Sequence, residues 1–102
     1  MYIAMNRFQV VPGEEAAFEQ VWRERDSQLE TVPGFVDFKL LKGATDEKQT
    51  LYSSHTVWQD YAAFEGWTKS EAFRRAHEGA GDRKKLYLGH PVFEGFEVVQ
   101  QS

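Results

Sequence analysis

The chain has 102 residues, 41% apolar and 15% aromatic, with a net charge of −4 and no cysteine. That is one domain's worth of globular sequence, expected to span residues 1–102. It excludes disulfide scaffolds, thiolate nucleophiles and zinc–sulfur centres, and its acidic balance argues against general nucleic-acid binding.

Residues 2–11 (YIAMNRFQVV) alternate with period two and predict a strand. Tyr2, Ala4, Asn6, Phe8 and Val10 share one face; Ile3, Met5, Arg7, Gln9 and Val11 share the other. The N-terminus has no basic segment leading into an apolar run, and no stretch approaches the roughly 20 apolar residues that span a bilayer. A cytoplasmic protein with no membrane partner is therefore expected. Pro12-Gly13 turns the chain, and residues 14–31 predict a helix. Phe18, Val21, Trp22, Leu29 and then Val32 form its apolar stripe, with Glu15, Glu19, Arg23, Asp26 and Glu30 opposite. Pro33-Gly34 ends it. Phe35–Leu41 and Thr50–Trp58 predict two strands of a hairpin about a polar turn at 43–48. Asp60 is placed to cap a short helix holding Tyr61, Phe64 and Trp67. Ser70 is placed to cap another with Phe73, Ala76 and His77, stopped by Gly79 and Gly81. Residues 78–91 read as a loop and Phe93–Val99 as a last strand. The order β-α-β-β-α-β, with its second helix broken, is the ferredoxin-like α+β arrangement. The semi-apolar second face of the first strand (Ile3, Met5, Val11) predicts cover by a second copy, giving a dimeric α+β barrel.

A few side chains stand out as candidates for chemistry. Asn6 places an amide on an otherwise apolar face; it either caps a backbone group or is aimed at a ligand, because an unpaired buried amide costs about 1–3 kcal/mol. Trp67 is either core or a flat wall against a planar ligand. His77 shares a helix face with Phe73 and is either a capping or surface histidine or a metal ligand. His55 and His90 have no second ligand at helical spacing. Arg25 falls within the apolar stripe of the first predicted helix, so it either snorkels to solvent or offers a guanidinium to a carboxylate. Around residues 66–90, Lys69, Arg74, Arg75, Arg83, Lys84 and Lys85 outnumber Glu71, Glu78 and Asp82. Such a segment is ordinary solvated surface or a site for a small anion. No phosphate loop, dinucleotide fingerprint or Gly-x-Ser-x-Gly elbow is present.

Together, "MNRF", "PGFVDFKLL", the strand ending "TVW" and "AFEGWTKSEAFRRAH" resemble the haem-degrading, IsdG-type branch of the antibiotic-biosynthesis monooxygenase superfamily. The resemblance runs over residues 2–99 and is weakest after His77. It implies a homodimer with one haem between helices and sheet in each subunit. His77 would be the proximal iron ligand, Asn6 a donor to the distal oxygen ligand, and Trp67 a press that distorts the porphyrin, a known lever on haem reactivity. Phe64 and Phe73 would line the pocket, and Arg25 or the run Arg83–Lys85 would hold the propionates. Haem would be both substrate and cofactor, with electrons drawn from an external reductase or small reductant. Two other readings stay open: a cofactor-free monooxygenase of the same superfamily acting on a quinol-like aromatic, and a non-enzymatic haem-binding dimer.

Overall fold

The alternation of the first residues is realised as β1 (Tyr2–Val10). Tyr2, Ala4, Phe8 and Val10 are buried on one face, while Arg7 and Gln9 are exposed on the other. The computed structural model describes residues 1–25, 28–76 and 86–102. After β1 come α1 (Glu15–Glu24), a single 3-10 turn at Leu29–Thr31, β2 (Phe35–Thr45) and β3 (Thr50–Trp58). Then follow α2 (Tyr61–Thr68), α3 (Glu71–Ala76) and β4 (Tyr87–Glu97). The strands form one antiparallel sheet in the order β2-β3-β1-β4. This is the ferredoxin-like α+β fold expected from the element order. Both predicted caps form. Asp60 accepts the Ala63 N–H at 2.8 Å and Ser70 Oγ accepts the Phe73 N–H at 3.1 Å.

Three elements differ in extent from expectation. The first helix stops at Glu24, not 31: Arg25 is extended and Gln28 adopts a left-handed conformation. The apolar stripe serves two separate clusters. Phe18 and Trp22 pack with Phe8, Val10 and Tyr52, whereas Leu29 and Val32 pack with Tyr2, Trp58 and Trp67. The end of α1 at Glu24 separates the residues that serve one cluster from those that serve the other. β2 continues to Thr45, three residues into the expected turn. β4 begins at Tyr87, inside the segment read as loop, and ends at Glu97. A register shift between Arg7 and Gln9 in the β1–β4 pairing, with Gly89 at φ +64°, lets this edge strand absorb Pro91, which has no N–H to donate. The glycines expected to stop the second short helix, Gly79 and Gly81, lie outside the described residues.

Glu15 and Glu19, read as outward-facing, instead tie α1 to the sheet. Thr50 Oγ1 donates to Glu15 at 2.8 Å and the Tyr52 hydroxyl donates to Glu19. The spacings match: four helical residues rise about 6 Å and two strand residues about 6.8 Å. The opposite sheet face carries Ile3, Met5, Val57, Leu88, Val92 and Phe96, of which the last three are exposed. No helix of the described residues is long and apolar enough to cross a membrane.

Candidate functional site

The two apolar clusters leave a gap between them. Along β1, Ala4 belongs to one cluster and Phe8 to the other, and Asn6 falls at the seam. A cavity of about 330 Å³ opens there, within the usual range for small-molecule sites. Asn6, Ser54 and Thr56 contribute its polar floor. The walls are aromatic. Trp22 stacks on Phe38 with ring centroids 5.7 Å apart and planes at 18°; Phe64 stacks on Phe93 at 5.6 Å and 15°. Flat paired rings of this kind suit a planar, apolar ligand.

Trp67 closes the helical side. It is 7% exposed, stacks on the fully buried Trp58 and meets Phe73 edge-on. Its other border lines a second, open groove with Val32, Ala63 and Arg75, so the indole partitions the two spaces. The expected Trp67 is thus both core and wall. Arg25 also lines the cavity, with its guanidinium carbon 4.0 Å above the Trp22 ring. This is a cation–π contact that holds a positive charge at the rim.

Of the residues singled out in the sequence, the structure brings together Asn6, Arg25, Phe64, Trp67 and Phe73. His77 lies outside the described residues, as does Arg83–Lys85. α3 ends at Ala76, which is buried and lines the same cavity. His55 sits on the opposite sheet face, across from Met5. Among the described residues no cluster of three or more His, Asp or Glu could hold a metal ion. Trp22, Phe38, Ser54 and Phe93 were not singled out as ligand contacts. Trp22 and Phe38 carried a signal, since both sat on apolar faces. Ser54 carried none, because its place depends on which strand β1 pairs with.

Residues 1–79 match the family model described as antibiotic biosynthesis monooxygenase. A heme-degrading monooxygenase from Shouchella clausii is 35% identical over 78 residues, covering 76% of this chain and 73% of that protein. Among solved structures, the heme-degrader MhuD from Mycobacterium tuberculosis, with two hemes bound in its active site, is 26% identical at a TM-score of 0.77; the match covers 100% of this chain and 99% of that one. SnoaB from Streptomyces nogalater, a cofactor-independent oxygenase, is 27% identical at a TM-score of 0.71, over 98% of this chain and 94% of its own. The chain belongs to the antibiotic biosynthesis monooxygenase family, in the group that holds the heme-degrading monooxygenases.

Proposed function

We propose that this protein is a haem-degrading monooxygenase, taking haem as substrate and opening its porphyrin ring with dioxygen and electrons from an external donor. The observation that carries the reading is the aromatic-walled cavity with the Asn6 amide in its floor and Ala76 of α3 at its border. The likeness to heme-degrading relatives supports it over the cofactor-independent alternative represented by SnoaB. Bound haem would supply the iron that takes up and activates dioxygen. His77 would hold that iron through a ring nitrogen. Trp67, backed by Trp58, would press on the macrocycle, and Phe64 and Phe73 would line its apolar surface. Asn6 would donate to a small ligand of the bound haem, where a fixed donor stabilises developing negative charge. Arg25 would face the propionates.

A homodimer is part of the reading. The sheet face opposite the helices carries Ile3, Met5, Val57, Leu88, Val92 and Phe96, the last three exposed, around the Arg7–Glu94 ion pair. A second copy of the same face, placed against it by a two-fold axis, would bury it.

The test is spectroscopic. Haemin added to the protein should give a saturable, shifted Soret band, which decays when ascorbate is added in air. A band that forms and persists would favour a haem-binding protein without turnover. No band, with oxygen consumption on a quinol-type aromatic, would favour the cofactor-independent reading.

A further inference from the structure

The β1–β3 register sets Asn6 and Ser54 directly opposite each other, and both line the cavity. Cross-strand neighbours have Cβ atoms about 4.5–5.5 Å apart, so an amide and a hydroxyl at these positions reach the same small volume. Ser54 is 7% exposed. The hydroxyls beside it on β3 are satisfied by backbone: Thr56 donates to the Ala4 carbonyl at 3.1 Å and Ser53 donates to the Ser54 carbonyl at 3.2 Å. Among the described residues neither the Ser54 hydroxyl nor the Asn6 amide has a hydrogen-bond partner. Neither group is among the sealed, partnerless polar atoms of the interior; both open onto the cavity, where a ligand can supply the missing partner.

We infer that Ser54 is a second polar contact, acting beside Asn6, for a small hydrogen-bond acceptor held over the cavity floor: a dioxygen-sized molecule or a monovalent anion. A hydroxyl both donates and accepts. Ser54 can therefore donate to the ligand directly while the amide N–H groups of Asn6 approach from β1. Two donors on adjacent strands fix the ligand's direction as well as its affinity, and the sheet holds both without loop movement. This inference rests on the haem reading, because the ligand is taken to be carried on haem iron.

The experiment uses ferric haemin-loaded protein and sodium azide as the acceptor, following the Soret shift. Wild type is compared with Ser54→Ala, with Ser54→Thr, which keeps the hydroxyl, and with Ser53→Ala, which removes a buried hydroxyl from the opposite face. Ser54→Ala should weaken azide binding about tenfold while leaving haemin affinity unchanged. Ser54→Thr and Ser53→Ala should stay within about twofold of wild type. Unchanged azide affinity in Ser54→Ala, or an equal loss in Ser53→Ala, overturns the assignment. So does a loss of haemin binding in Ser54→Ala, which would make the residue a packing element. If wild type itself takes up no haemin, the haem reading falls first, at a step preceding any azide addition, and this inference falls with it.

Discussion

Trp67 lies nearly parallel to Trp58, with ring centroids 6.1 Å apart and planes at 28°. Trp58 is completely buried, so the indole of Trp67 has a fixed backing. A side chain that is to strain a planar ligand needs such a backing, since otherwise it would yield before the ligand did. The same packing makes Trp67 part of the core, and truncation would cost stability on the order of 3–5 kcal/mol. Trp67→Ala is therefore a poor probe of function. Trp67→Phe keeps an aromatic ring against Trp58 with less reach. It should bind haemin with near wild-type affinity yet show slowed Soret decay with ascorbate in air. Wild-type decay in this variant would leave Trp67 as core alone.

Asn6 should behave in the opposite way. Its amide caps nothing among the described residues, so removing it should cost the fold little, within about 0.5 kcal/mol. The loss should fall on turnover: one hydrogen bond to a charged group is worth about 1.5–3 kcal/mol, or roughly ten- to a hundredfold in rate. Asn6→Ala should keep its thermal midpoint and its haemin affinity and slow Soret decay by that factor. A lowered midpoint with normal decay would restore the reading of Asn6 as a structural cap.

The placement of Asn6, Phe64, Trp67 and Phe73 around one cavity was legible because each lay on a local period. Two-residue alternation put Asn6 on the helix-facing side of β1, and the capping residues Asp60 and Ser70 fixed the phase of α2 and α3. Ser54 could not be read this way. Its partnership with Asn6 is a register between strands 48 residues apart in sequence, and no local pattern encodes it. The end of α1 was hidden for a related reason: Leu29 and Val32 keep the apolar spacing of the helix although they pack on a different cluster. Gly89, His90 and Pro91 looked like loop because a bulged edge strand tolerates the residues that loops favour.

Alkaline stability should expose the tie between α1 and β3. The Tyr52 phenol is buried and donates to Glu19. Burial, followed by the hydrogen bond and the charge of Glu19, raises its pKa well above the ordinary value near 10. A phenol whose folded pKa is raised holds its proton more tightly when folded. Its stabilising contribution is complete below pH 10 and is lost as pH climbs beyond it. Tyr2 is shifted in the same direction, first by burial and then by Tyr61 and Glu97. Urea midpoints should fall steeply from about pH 10 upward, and Tyr52→Phe should flatten part of that fall while lowering stability at neutral pH. An unchanged slope in Tyr52→Phe would mean that the phenol is not shifted upward in the folded protein.

Gly95 should tolerate no side chain while Tyr2 is in place. A Cβ built at Gly95 would overlap the Tyr2 hydroxyl and stand 2.6 Å from the ring carbon bearing it. Tyr2 is in turn wedged between Tyr61, at 5.1 Å between centroids, and Phe64, at 5.4 Å, so the ring cannot simply swing aside. Gly95→Ala should therefore destabilise by about 1–3 kcal/mol, the range typical of overpacking. Tyr2→Phe removes the closer of the two clashing atoms but keeps the ring, so it should relieve the damage only in part. In a double-mutant cycle read by urea unfolding, Gly95→Ala should cost less in the Tyr2→Phe background, with a coupling of about 0.5–3 kcal/mol. Strict additivity would show that the contact is not the source of the loss. The effect should also reach the cavity. Phe64 packs between Tyr2 and Phe93, and both phenylalanines line the site. A Tyr2 ring displaced by the methyl group of the Gly95→Ala variant would press on Phe64 and weaken haemin affinity. Tyr2→Phe alone, which displaces nothing, should leave that affinity at the wild-type value.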